Sequence, residues 1–247
     1  MKVLATYSIK GGVGKTTTAT NLAWLAAAEG RRVLLWDLDP QGGSTWLFEV
    51  KAKVKGGGQA LVSGDRKLVD AVRKTTFDNL DVLPSDESYR SLDLLLDDEK
   101  KPTRTLERLI DGLGKKYGLV ILDCAPSLSL VSENIVRAAD LVVAPVMPSP
   151  LSVRTLDQLR DFMDQTKGSS PKLLAVLSMV DRRRRLHKEL VEELPGSRKD
   201  VAKTVIPAAS AVEQMAVHRA PIVQWQPRSP AAQAYRELWA EALKRLK

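Results

Sequence analysis

Cysteine is almost absent from these 247 residues, and Cys124 stands alone. A single thiol permits no intrachain disulfide and no cysteine-built metal site, which suits a reducing compartment such as the cytosol. Histidine is nearly as scarce, and His187 and His218 lack the spacing of metal ligands. Aromatic residues reach only 5%. No apolar run approaches the ~20 residues of a membrane-spanning helix. The chain enters an apolar, β-rich stretch at residue 3, so neither a signal peptide nor a leading DNA-binding domain is expected.

What is present is ordinary in amount but uneven in place. Hydrophobic residues make up 44%, enough at this length for one large α/β domain with a sizeable core. The formal net charge is +8, and residues 171–247 carry 15 Lys and Arg against 8 Asp and Glu. Nearly all the excess cation therefore sits in the last third. That suggests a polyanionic partner, nucleic acid or an acidic membrane surface.

Apolar β-rich segments alternate with helical ones. Strands are predicted at 3–9, 31–39, 80–85, 118–126, 140–146, 172–180 and 204–207. Helices are predicted near 16–30, 66–74, 103–116, 130–139, 151–166, 184–194, 209–217 and 230–246. Such alternation implies an α/β fold, a mostly parallel twisted sheet with helices on both faces, in a single domain spanning 1–247. Segment 48–65 is the exception. Its Val50, Ala52 and Val54 alternate with Lys51, Lys53 and Lys55, a pattern that suits a short exposed ribbon, which Gly56, Gly57 and Gly58 then break; a mobile solvated loop is the expected reading, with a partner-binding insert as the alternative.

The first strand runs into SIKGGVGKTTT, residues 8–18. Gly14, Lys15 and Thr16 supply the second half of the phosphate-binding loop G-x-x-x-x-G-K-[ST]. In such a loop the backbone of Gly11, Gly12, Val13 and Gly14 curls its N–H groups around a polyphosphate. Lys15 neutralises phosphate oxygens, and the Thr16 hydroxyl completes a Mg²⁺ shell. Thr17 follows in the first turn of a helix whose dipole favours anions. ATP and Mg²⁺ are the expected ligands. The consensus fails at its first position, where Ile9 replaces glycine and Lys10 adds a second ammonium. Two cations this close repel unless a polyanion lies between them, and a second cation can stabilise charge on a transferring phosphoryl group.

Two further boxes end strands in acids. WDLDPQGG, residues 36–43, places Asp37 and Asp39 two apart on a strand end, so both carboxylates can face the phosphates. LVILDCAPS, residues 119–127, ends in Asp123, where a carboxylate usually holds Mg²⁺. Pro126 and Ser127 then begin a loop suited to sensing hydrolysis.

KGGVGKTT together with the two acidic boxes resembles the ParA/MinD family of P-loop ATPases, whose Walker A box is deviant, and in particular its Soj-like partitioning branch. The similarity continues through 132–159, 205–215 and the closing helix. The resemblance implies that Lys10 reaches across a dimer to the nucleotide of the other subunit. It implies that Asp39 positions or activates the attacking water, that Asp37 supports the Mg²⁺ shell, and that adenine lies between Met179, near Asp181, and Pro207. It implies a weak ATPase that dimerises on ATP, binds nonspecific DNA, and is stimulated by a ParB-like or cargo-adaptor partner. Such a protein would be cytoplasmic and nucleoid-associated in its ATP state.

Some residues depart from the family. A basic residue often follows the proline of the Ile-Pro turn, but here it is Ala208. Arg182, Arg183, Arg184, Arg185 and Lys188 offer a phosphate-neutralising cluster in its place. A MinD-like membrane role would need an amphipathic anchor, and AYRELWAEALKRLK, 234–247, has Leu238, Trp239 and Leu246 on one face. A metabolic ligase of the same superfamily is a third class, against which Lys10 and the basic last third both speak.

Overall fold

The strand made first ends up in the middle of the sheet. The structure, a computed structural model, describes residues 1–247 except Lys167, Ser169 and Ser170. Among the described residues the strands are β1 (Lys2–Thr6), β2 (Val33–Asp37), β3 (Arg73–Lys74), β4 (Leu80–Leu83), β5 (Leu119–Asp123), β6 (Leu141–Val146), β7 (Lys172–Val180) and β8 (Val201–Pro207). They form one sheet in the order β3-β4-β2-β5-β1-β6-β7-β8, with every neighbouring pair parallel except β3–β4.

Strands covered on both faces read as continuous apolar runs, because neither face meets water. VLLWD, LVILD and LVVAPV are buried at every residue. Alternate side chains feed two separate cores. Val3, Ala5, Leu34 and Trp36 enter one, while Leu4, Val33 and Leu35 enter the other, beside Leu22 and Ala26 of helix α1 (Lys15–Ala28).

The last helix, Pro230–Leu246, starts with proline in its first turn and is capped by Ser229, whose hydroxyl accepts from the Ala232 amide. Its Tyr235, Leu238, Trp239, Ala242 and Leu246 are buried, and the helix packs on α1 and β8. The apolar stripe that suits a membrane anchor is therefore used inside the protein. No described helix is long and apolar enough to cross a membrane.

Three sequence expectations are corrected. Segment 48–65 contains no strand: a short helix α2 (Gly43–Leu47) precedes it, and α3 (Gly57–Val62) begins within the glycine run. Val54 is buried and its amide donates to Asp86 Oδ2 at 2.7 Å, so a side-chain partner takes the place of a ribbon. The helix expected over 66–74 is one turn, Leu68–Ala71, followed by β3, whose Lys74 pairs with Asp81 of β4 at 2.9 Å. The helix expected over 209–217 divides into Ser210–Glu213 and Met215–His218.

Candidate nucleotide site

The sheet order sets the carboxyl ends of β2, β5 and β1 side by side, with Asp37 opposite Asp123 and Asp123 opposite Thr6. The glycine-rich loop leaves β1 just beyond Thr6 and turns into α1. Gly14 sits at φ 95°, a left-handed conformation that side chains rarely adopt, and a Cβ there would lie 3.3 Å from Ser178 Oγ. That serine, on β7, donates to the Val13 carbonyl at 2.7 Å. The end of β7 thus flanks the loop, with the end of β8 beside it in the sheet. Met179 is at φ 56° and 39% exposed, Val180 pairs with Pro207, and the Ala208 amide donates to the Val180 carbonyl at 2.9 Å.

The motif's two lysines diverge. Lys15 is buried and its Nζ donates to the Lys10 carbonyl at 3.1 Å. Burial pulls its pKa down, opposed by the charges of Asp123, Cys124 and Asp39. Lys10 points the other way, and its Nζ donates to Ser152 Oγ at 3.2 Å in the first turn of the Pro150–Gln165 helix. Ser127, in the loop after β5, is also tied down. Its carbonyl accepts from Tyr7 Oη and from Ser132 Oγ.

The three acids differ in what holds them. Asp37 is fully buried; its Oδ2 accepts from the Thr45 amide at 2.8 Å and the Thr45 hydroxyl at 2.7 Å. Its Oδ1 accepts from the Asp39 amide at 3.3 Å. Burial outweighs these bonds and pushes its pKa up to about 6. Asp123 is also fully buried, and burial, then the Asp37 charge, push it up to about 8 against the Ser44 and Thr16 hydroxyls. Asp123 Oδ2 accepts from Ser44 Oγ at 2.5 Å, whereas Oδ1 is buried with no partner of hydrogen-bonding geometry. Asp39 alone of the three is partly exposed, and its Oδ1 accepts from the Gln41 amide at 2.9 Å.

An unpartnered buried carboxylate oxygen near a threonine hydroxyl fits a hard divalent cation, which takes oxygen ligands. Thr16 and Asp123 are the residues that would hold it, with Asp37 alongside. Ser44, Thr45 and Ser85 complete the site and were not anticipated. Ser85 donates its hydroxyl to the Asp39 carbonyl at 2.6 Å and its amide to Thr45 Oγ1 at 2.8 Å.

The buried pair gives stability a pH dependence. Both folded pKa values lie above the ~3.9 of an unfolded aspartate, so the fold favours the protonated forms. That contribution is full below pH ~4 and is lost as pH rises through 6 and then 8. Thermal melts without divalent cation should therefore fall from pH 5.5 to 8.5, and Asp123→Asn should flatten the upper part. A slope unchanged by that substitution would assign the dependence elsewhere.

The arginine cluster is partly neutralised. Arg183 makes two bonds to Asp181, Nε to Oδ1 and Nη2 to Oδ2, each 2.9 Å, and Arg185 pairs with Glu189 at 2.7 Å. Arg182, Arg184 and Lys188 are exposed and make no ion pair among the described residues. His187 is buried and accepts from the Asp181 amide at 3.0 Å, so it holds this loop. Trp225 stacks on His218 at 3.9 Å.

Residues 1–176 match a family model described as an AAA domain. The chain is 34% identical to the sporulation initiation inhibitor protein Soj of Bacillus subtilis (strain 168) over 246 residues, 97% of each chain. It is 33% identical to the chromosome partitioning protein ParA of Caulobacter vibrioides (strain NA1000 / CB15N), covering 99% of this chain and 95% of that one. Its fold is similar to that of cobyrinic acid a,c-diamide synthase from Mycobacterium smegmatis, solved with bound ADP and magnesium. The TM-score is 0.80 at 26% identity, over 99% of this chain and 94% of that one. Similarity to Soj and to ParA along nearly the whole length decides the matter: the chain belongs to the ParA/MinD family of P-loop ATPases.

Proposed function

We propose that this protein is an ATP-driven dimerising switch. It binds Mg²⁺–ATP, pairs with a second copy, holds nonspecific DNA in the paired state, and lets go when a partner protein stimulates hydrolysis. Its cargo is a plasmid or chromosome locus, or a large protein assembly. The relative named for chromosome partitioning supports this reading.

The observation that carries it is the divergence of the two lysines. Lys15 turns into its own loop, while Lys10 leaves that loop for Ser152. A cation that does not serve its own phosphates is available to those of a second subunit. Thr16 and Asp123, with Asp37 alongside, would hold Mg²⁺, which would supply neutralisation of phosphate charge. The chain's own parts divide the remaining work: the loop amides and Lys15 bind phosphate, Asp39 orients a water, and Met179 and Pro207 flank the base.

Lys10→Ala should bind nucleotide nearly as wild type does, yet stay monomeric where the wild type dimerises. Sedimentation with a non-hydrolysable ATP analogue decides this, and a dimer of wild-type affinity would sink the switch reading.

For DNA, the unpaired cations matter more than the paired ones. Replacing Arg182, Arg184 and Lys188 together by alanine should weaken binding to unrelated duplexes and reduce the salt slope by about 3, roughly one per lost phosphate contact. Replacing Arg183 and Arg185 should do much less. Equal effects, or none, in fluorescence anisotropy at two salt concentrations would move the interface elsewhere.

A further inference from the structure

Both buried carboxylates are held by hydroxyls of one short helix. From α2, Ser44 donates to Asp123, and Thr45 donates twice to Asp37. Its first residue, Gly43, lies so close to the phosphate loop that a Cβ would sit 3.0 Å from Thr16 Cγ2. The position of α2 therefore bears on the aim of both carboxylates on the cation side of the site.

On its inner side α2 is anchored by Leu47, which is buried with Phe48. On its outer side stands Trp46, 50% exposed. Arg219 lies across this indole with its guanidinium carbon 3.0 Å from the ring centroid, and Nη1 donates to the Trp46 carbonyl. A planar guanidinium suits both contacts at once. Arg219 is also held at φ 49°, a left-handed conformation that a residue with a Cβ keeps only where its surroundings hold it there.

The segment that carries Arg219 is anchored a second time. The Val223 amide donates to Asn21 Oδ1 at 3.2 Å, and Asn21 Nδ2 donates to the Thr17 carbonyl at 2.7 Å. The same stretch thus grips both helices that flank the phosphate loop, α1 through Asn21 and α2 through Trp46.

We propose that Arg219 is a positioning residue for the cation end of the nucleotide site. Clamped on Trp46, it holds α2 so that Ser44 and Thr45 keep Asp123 and Asp37 aimed at the metal. It touches neither nucleotide nor metal. The inference rests on the ATPase reading, and it removes Arg219 from the set of free cations available to DNA.

Arg219→Gly is the informative variant, because it deletes the side chain and relieves the left-handed strain together. Arg219→Lys keeps the charge but loses the planar stack, and Trp46→Ala removes the other half of the clamp. Binding of a fluorescent ATP analogue would be followed first without divalent cation and then across a Mg²⁺ titration. Melting and cation-free nucleotide affinity should stay at wild-type values in Arg219→Gly. The half-saturating Mg²⁺ concentration should rise about three- to tenfold in Arg219→Gly and Trp46→Ala, below the effect of losing a direct outer-shell partner. Arg219→Lys should not rescue it, and the double variant should be no worse than either single one.

A wild type that binds the analogue without any Mg²⁺ dependence would overturn the ATPase reading itself. A normal wild type with an unshifted Arg219→Gly would overturn the clamp alone. So would loss of DNA binding in Arg219→Gly at unchanged Mg²⁺ dependence, because Arg219 would then be a DNA contact.

Discussion

Lys15→Ala is expected to lose Mg²⁺–ATP binding by ~100-fold and to show no hydrolysis above background, since charge-assisted hydrogen bonds to phosphate oxygens are worth about 1.5–3 kcal/mol each. The physical reason lies in the neighbours. Asp123 and Asp39 stand close enough for their charges to raise the Lys15 pKa against its burial. Removing the ammonium leaves the strand-end acids and the triphosphate with no buried lysine between them. Lys15 also donates to a backbone carbonyl of its own loop, so its deletion loosens the loop. Calorimetric titration with Mg²⁺–ATP checks this; an affinity within tenfold of wild type would show that the loop amides suffice. The contrast with Lys10→Ala is the sharper test, because two lysines of one motif are expected to fail at different steps.

Asp39→Asn should keep nucleotide affinity and dimerisation while hydrolysis falls by about 10²–10³, the range of a lost general base. Of the three strand-end acids, Asp37 and Asp123 are sealed from solvent and held by α2, whereas Asp39 reaches the surface. Only an acid that meets water can orient one. The asparagine Oδ1 can still accept the Gln41 amide bond, so the turn survives and the loss is chemical. A phosphate-release assay at saturating ATP measures it. Wild-type turnover in Asp39→Asn would transfer the role to another group.

The chemistry-bearing boxes were legible because each joins a strand end to a residue type with one plain use. Asp37 and Asp123 face one another simply because each closes a strand and those strands are neighbours. The helix that holds them was not legible. GSTWL is too short for helical periodicity and begins inside the Gly42–Gly43 pair, which looks like a turn. Its contacts come from parts of the chain far away in sequence. Segment 48–65 was expected as a solvated loop, and its helix Gly57–Val62 and buried Val54 were missed for a related reason: the partner of the Val54 amide, Asp86, lies far away in sequence. Arg185 is different. Its partner Glu189 lies four residues on, a spacing at which helical charges pair, so its neutralisation was readable without coordinates.

The central place of β1 bears on how the protein is made. β1 pairs with β5 and β6, so it has no neighbour in the sheet until residues 119–146 have been synthesised. The helix that follows it then waits for Pro230–Leu246 to cover its outer side. Contacts this distant in sequence form late. A nascent chain that has not yet reached Leu238 carries every phosphate-binding residue but lacks the walls that hold them in place. Cutting the chain before Leu238 would leave the loop sequence intact and α1 uncovered on its outer side.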